Sequence, residues 1–197
     1  MIDIAEINRF QAAATADWHD DFARSQTEAP LAFVEENHWF NFDLWHEEDV
    51  ARRDDIPAER IKQAKRKIDK CNQARNNAME KIDDWILSEI KQRQVSCPDG
   101  LLHSETPGMM IDRLSIMALK VYHMQEQVDR KDATPEHKEK CAARVVVLDE
   151  QRADLSASLE ALLGDVFGGR RRFKVYRQFK MYNDPDSNPQ LYQKGKS

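Results

Sequence analysis

The sequence predicts an all-α fold: an antiparallel helical bundle of about five helices with one very long helix. Three observations support this prediction. Gly and Pro together make up only 13 of the 197 residues and charged residues make up 33%, a composition typical of long helices. Apolar residues recur at helical spacing, and alternating strand patterns never extend beyond a few residues. Prolines stand between the periodic segments or at their starts.

Capping residues and prolines set the helix boundaries in chain order. Thr27 is the predicted cap of the second helix, and Pro57 opens the third. Thr106 and Thr134 each place a capping hydroxyl directly before a proline at the first helical position. A loop with a Pro-Asp-Gly turn fills residues 96–106. The predicted helices span about 3–25, 28–53, 57–95, 107–131 and 135–164.

The third predicted helix is the very long one, and the fourth is predicted to be central. Residues 109–124 are apolar around nearly the whole circumference of a helix, as expected for a helix that others surround. An apolar stripe also runs the length of the third helix. That stripe consists of Ile61, Ile68, Met79, Ile82, Ile86 and Ile90.

The net charge of −5 is unevenly distributed along the chain. Residues 168–197 have a net charge of +6, which leaves −11 for the remainder. We therefore divide the chain into a helical bundle domain, 1–167, and a basic aromatic arm with a flexible tail, 168–197. The arm is expected to pack on the acidic body. Single-stranded nucleic acid is a less favoured partner, because the body repels a polyanion; surface association of the tail with an anionic membrane is the other alternative. The aromatic residues of the arm are Phe173, Tyr176, Phe179 and Tyr182.

Several classes of protein are disfavoured by simple features of the sequence. Apolar runs fall well short of the roughly 20 residues that span a bilayer. The first residues lack the basic and apolar segments of a secretory signal. The three cysteines show no paired metal-binding spacing and fit free thiols in a reducing compartment. The expected localisation is cytoplasmic.

Polar residues on inward-facing stripes indicate where chemistry could occur. On the third helix, five polar side chains share the face of the apolar stripe. On the second helix, Asn41, Trp45, Glu48 and Arg52 align, with Asp49 beside them. Unpaired burial of such groups costs several kcal/mol each, roughly, so they must be paired or line a wet pocket. The five of the third helix are Lys65, Asn72, Arg75, Asn76 and Asp83.

These residues predict a site between the second, third and fourth helices, to which the fourth contributes Asp112, Arg113 and His123. The catalytic acid–base candidates are Glu48, Asp49 and His123. Trp45 is the candidate for stacking on a base or sugar ring. A purely structural ion network is the alternative interpretation. The phosphate-binding candidates are Arg52, Arg53, Lys65, Arg75 and Arg113; the other ligand-binding candidates are Asn41, His46, Asn72, Asn76, Asp83 and Asp112.

Other motifs are incomplete. Glu80 and Asp83 have the spacing of magnesium ligands in helical nucleotide pyrophosphohydrolases, but the preceding helix lacks the matching Glu pair. Glu35 and His38 have the spacing of a di-iron ligand pair, without a second copy. The turn at residues 106–109 offers backbone N–H groups to an anion, with His103 and Ser104 nearby in sequence. We therefore assign no metal ligands from the sequence, and the cofactor stays unknown.

Three stretches, residues 44–53, 72–76 and 111–115, resemble an uncharacterised bacterial family known only as a domain of unknown function. The similarity extends over most of residues 20–165. The resemblance implies an all-helical cytoplasmic protein, often encoded near glycosyltransferase genes for envelope polysaccharide or lipopolysaccharide. With the predicted site, it suggests a protein that binds or processes a phosphate-bearing ligand such as a nucleotide sugar or sugar phosphate. The alternative is a non-enzymatic partner of a glycosyltransferase.

Overall fold

The structure, a computed structural model, describes residues 2–26, 28–177 and 184–189. Over these residues the chain forms five helices and a small two-stranded parallel sheet. The predicted helical class is therefore confirmed, although the short sheet was not predicted. The helices are α1 (Ile4–Asp20), α2 (Leu31–Ala51), α3 (Ala58–Gln92), α4 (Pro107–Asp129) and α5 (Pro135–Phe167), and the strands are β1 (Leu101–His103) and β2 (Arg171–Phe173).

The end of α1 is the largest departure from the predicted boundaries, because the helix stops at Asp20 rather than near residue 25. The buried carboxylate of Glu35 accepts hydrogen bonds from the backbone N–H groups of Ser25, at 2.7 Å, and Gln26, at 3.1 Å. Amides bound to a side chain of α2 cannot continue a helical hydrogen-bond ladder. Thr27, the predicted cap of α2, lies outside the described residues.

The predicted caps of α4 and α5 are confirmed. Thr106 accepts from the Met109 N–H and Thr134 from the His137 N–H, both at 3.2 Å. The N-terminus of α4 also receives a carboxylate of the protein itself, because the Gly108 N–H donates to Asp83 Oδ1 at 2.7 Å. The prediction that this turn is open to an external anion is therefore wrong for Gly108.

The hydrophobic core surrounds α4, as its apolar circumference predicts. Ile111 and Leu114 are fully buried there, together with Ile82 and Ile86 of α3 and Leu159 of α5. Along the stripe predicted for α3, Ile68, Met79, Ile82 and Ile86 are buried, whereas Ile61 and Ile90 are half-buried.

Two helices, rather than one, are long. Helix α3 has 35 residues and α5 has 33. Val146 and Val147, in the first half of α5, are exposed, and Leu155, Leu159, Leu162 and Leu163 of its second half are buried. Among the described residues, no helix combines the length and the apolar character needed to cross a bilayer.

The first part of the basic aromatic arm, residues 168–177, lies against the helical bundle. Strand β2 pairs in parallel with β1, and Phe173 is buried. Arg177 forms ion pairs with Glu80, at 2.6 Å, and Asp84, at 2.8 Å. The interleaved aromatics predicted at Phe179 and Tyr182 lie outside the described residues.

Candidate functional site

A cavity of about 310 Å³ opens between α2, α3 and α4. It brings together six of the residues that the sequence predicts for a site. Apolar walls are formed by Leu44, Ile116 and Leu119 beside the indole of Trp45. The six predicted residues that line it are Asn41, Trp45, Glu48, Asp49, Arg52 and Arg75.

A buried carboxylate, Asp112, lies behind this pocket and holds two of its lining residues. Arg75 donates to it through Nε, at 2.7 Å, and Nη2, at 2.6 Å. Asn37 and Asn41 each donate to Oδ1 at 2.9 Å. Although burial lowers the pKa of Arg75, the hydrogen bonds and charge of Asp112 raise it above its usual value. Arg75 is therefore a fixed cation at the pocket wall.

His38 extends the same network away from the pocket. Its Nε2 lies 3.0 Å from Thr15 Oγ1, and its Nδ1 lies 2.8 Å from Ser115 Oγ. The Thr15 hydroxyl donates to the Gln11 carbonyl at 2.8 Å, so it accepts from His38 Nε2–H. Burial lowers the pKa of His38 to about 3. This histidine is a neutral structural residue rather than half of a di-iron ligand pair.

The rim of the pocket carries one cation and two carboxylates, Arg52, Glu48 and Asp49. Arg52 is mostly exposed and forms an ion pair with Glu48 at 3.0 Å. Asp49 lies exposed beside them. Asp112 balances the charge of Arg75. Arg52 and Arg75 can still donate hydrogen bonds to an anion, and Glu48 and Asp49 can accept hydrogen bonds from hydroxyl groups.

The structure places the other predicted phosphate-binding residues outside this pocket, which corrects the predicted grouping. Arg53 is exposed and pairs with Asp55, Arg113 pairs with Glu105, and Lys65 pairs with Asp69. A helical-wheel angle gives the direction of a side chain but does not show whether a neighbouring helix covers it. Lys65 points along the buried stripe of α3 and is nevertheless exposed.

Three polar residues of α3 also fall outside the pocket. Asp83 is buried at the α3–α4 contact, where it binds the Gly108 N–H. Its burial raises its pKa to about 6, against the opposing hydrogen bonds from Thr106 and Gly108. Asn72 and Asn76 are half-buried on α3. Of the five polar residues predicted on the buried face of this helix, Asp83 alone is fully buried.

His46 and His123 belong to a second site, a histidine cluster that His19 completes. One ring nitrogen of each lies within 4.8 Å of the others. His123 and Asp112, predicted for one site, are separated by eleven residues of helix, or roughly 16 Å. His19 was missed because a single histidine near the end of α1 has no periodic partner in the sequence.

Trp45 lies at the boundary between the pocket and the histidine cluster. Its ring stacks on His123 with a centroid separation of 4.8 Å and an interplanar angle of 8°. It also lines a second cavity, of about 480 Å³, together with Asp49, Lys120 and His123. The two cavities therefore share the walls formed by Trp45 and Asp49.

One family model matches the chain. It is described as "Protein of unknown function (DUF4254)" and matches residues 31–175, from the start of α2 to just beyond β2. No curated protein and no solved structure matches. The matched range includes all the predicted site residues, whereas His19 precedes it.

Proposed function

Since the chain belongs to the DUF4254 family of proteins of unknown function, we propose its function from its site: the pocket between α2, α3 and α4 binds a small molecule with a phosphate and a hydroxylated ring. Nucleotide sugars and sugar phosphates have this chemistry. The observation that carries the proposal is that Trp45, Arg52 and Arg75 line one cavity. Aromatic and arginine side chains in one concave site suit a ligand with a flat face and an anionic group.

Five of the lining residues have a role in this proposal. Arg52 and Arg75 bind phosphate oxygens, and Trp45 stacks on a ring. Glu48 and Asp49 accept hydrogen bonds from ring hydroxyls and are the acid–base candidates if the ligand is processed. The cavity of about 310 Å³ is at the small end of ligand sites. A larger ligand would continue past Trp45 into the neighbouring cavity.

The biological setting is part of the proposal. The family resemblance suggests a bacterial cytoplasmic protein encoded near glycosyltransferase genes of envelope glycan synthesis. A phosphate-bearing sugar donor is the ligand that this setting would supply.

Adjacent arginines provide the test. Arg52 and Arg53 are both exposed and each pairs with one carboxylate, but Arg52 alone lines the pocket. We expect UDP-glucose or glucose 1-phosphate, titrated with and without Mg²⁺, to raise the melting temperature. Arg52→Ala should weaken binding by about 10-fold, which is the lower end of the loss expected when a hydrogen bond to a charged group is removed. Isothermal titration calorimetry measures the Kd.

Arg53→Ala is the matched control and should bind like the wild-type protein. Trp45→Ala should also weaken binding, because the stacking surface is lost. If neither ligand shifts the melting temperature, or if both arginine variants bind equally well, the proposal is rejected.

The second candidate is a non-enzymatic partner of a glycosyltransferase, in which the buried polar residues serve only the fold. One observation favours it: both oxygens of Asp112 are bound by side chains of the protein itself. This candidate predicts co-purification with a glycosyltransferase together with no response of the melting temperature to either ligand.

A further inference from the structure

We propose that His19, His46 and His123 form a binding site for a divalent transition-metal ion, with Zn²⁺ as the favoured occupant. The histidines come from three helices: the last turn of α1, the last third of α2 and the second half of α4. Their nearest ring nitrogens lie within 4.8 Å of one another. This inference is independent of the ligand proposed for the pocket.

Hydrogen bonds define which nitrogens carry the lone pairs that could bind the ion. Nδ1 of His19 lies 2.6 Å from the Thr15 carbonyl, and Nδ1 of His46 lies 2.8 Å from the Phe42 carbonyl. A carbonyl oxygen can only accept, so each Nδ1 carries the proton. The lone pair of each ring is therefore on Nε2.

His123 follows the same rule with a carboxylate partner. Its Nδ1 lies 2.7 Å from Glu126 Oε2. A carboxylate that accepts from the outer nitrogen of a histidine is a recurrent feature of metal sites, because it fixes the ring and makes the inner nitrogen a better donor to the metal. In each of the three histidines, Nδ1 thus has a hydrogen-bond partner and Nε2 carries the lone pair that can bind a metal ion.

One of these three Nε2 atoms is buried without a hydrogen-bond partner. Nε2 of His123 has no hydrogen-bond partner in the structure. Leaving a buried polar atom unpaired is unfavourable, and a bound ion is one explanation for such an atom. A metal ion among the three histidines would satisfy it.

Aromatic rings hold the histidines in position. Tyr122 stacks on His19 at 4.5 Å, and Trp45 stacks on His123 at 4.8 Å.

Zinc fits this donor set best. Imidazole nitrogens suit Zn²⁺, Cu²⁺ and Ni²⁺, and three protein ligands with one open position are typical of catalytic zinc sites. No fourth His, Cys, Asp or Glu among the described residues joins the cluster. Nitrogens bound at about 2.05 Å in a tetrahedral site lie roughly 3.3 Å apart, so the rings must close by rather more than an ångström from 4.8 Å.

The test uses the full-length protein without a histidine tag. Zn²⁺ is titrated in competition with a chromophoric chelator, and Co²⁺ is added separately for its visible spectrum. We expect one Zn²⁺ per chain, a higher melting temperature, and intense Co²⁺ bands of a four- or five-coordinate site. His19→Gln and His46→Gln should each weaken zinc binding by more than the roughly 10–100-fold typical for loss of an outer partner, and Glu126→Gln should weaken it within that range.

His103→Gln is the matched control, because its Nδ1 also lies against a backbone carbonyl, that of Glu105, outside the cluster. It should bind zinc like the wild-type protein. His19 is exposed, so its variant is expected to fold, and circular dichroism checks this. Absence of stoichiometric zinc binding in the wild-type protein, or binding that survives in folded His19→Gln and His46→Gln, would overturn the proposal.

Discussion

His38 shows how strongly a single buried side chain depends on its surroundings. It is fully buried between Thr15 and Ser115, and its pKa is lowered from 6.5 to about 3. The sequence offered only its spacing from Glu35, which is compatible with a metal ligand. The hydroxyl partners come from α1 and α4 and are distant in sequence, so the spacing could not reveal the structural role.

The lowered pKa of His38 makes stability depend on pH. Below pH 6.5 the unfolded chain binds a proton at this histidine that the folded chain does not bind down to about pH 3. The free energy of unfolding therefore falls as the pH falls, by about 2 kcal/mol between pH 6.5 and 5 from this group alone. Asp83, with a pKa raised to about 6, has the opposite effect. Between about pH 6 and 4 only the folded chain is protonated at this residue, so its contribution to the free energy of unfolding rises as the pH falls.

Comparison with His38→Gln isolates the histidine, because Asp83 titrates in both proteins. The stability advantage of the wild-type protein over this variant should shrink by about 2 kcal/mol from pH 6.5 to 5. Urea unfolding at several pH values measures it. A difference that stays constant across this range would contradict the prediction.

At the scale of helices, periodicity predicts which elements exist better than where they end. Local signals sufficed for α4 and α5, since their caps and prolines are adjacent in sequence. The end of α1 depends on Glu35, a residue of the next helix, and no local signal records it. The same limit applies to the site. The polar stripe of α2 includes residues that line the pocket. Lys65 lies near the stripe of α3 but is exposed, because the stripe does not show which part of a helix face a neighbouring helix covers.

Two glycines in helices should respond oppositely to alanine. A Cβ on Gly108 would lie 2.5 Å from the Met79 carbonyl oxygen and 2.9 Å from Asp83 Cγ. Gly108→Ala should therefore cost about 1–3 kcal/mol, as overpacking does. At Gly164, inside α5, a Cβ would meet no atom within 4 Å.

Gly164→Ala serves as the control and should stabilise the protein by about 0.5–1 kcal/mol through helix propensity. Thermal and urea denaturation of both variants give the two values. Equal effects of the same sign would show that α4 does not approach α3 as closely as Gly108 allows.

For the molecule as a whole, charge is the sequence feature that best anticipated the arrangement. The excess of acid in the body and of base near the C-terminus predicted that the two would meet, and Arg177 contacts Glu80 and Asp84. The parallel pairing of β2 with β1 could not be predicted, because each strand has only three residues. The histidine cluster was hidden for a similar reason, since three helices contribute one histidine each.

Phe173 should account for much of the attachment of the basic aromatic arm to the helical bundle. It is 6% exposed and packs in the main core, whereas Tyr176, three residues later, is 63% exposed. Phe173→Ala should lower the free energy of unfolding by about 3–5 kcal/mol. Tyr176→Ala should change it by less than about 0.5 kcal/mol. Urea unfolding measures both, and similar losses in the two variants would contradict the described packing.

The pairing of Leu101 with Arg171 has a consequence for the order of folding. Helices α4 and α5 are neighbours in sequence and pack together along the chain, so their contacts can form early. The two strands flank this helical pair and are 70 positions apart, so they can meet only after the pair has closed. We expect the amide hydrogens of β1 and β2 to gain protection from exchange last during refolding, after those of both helices.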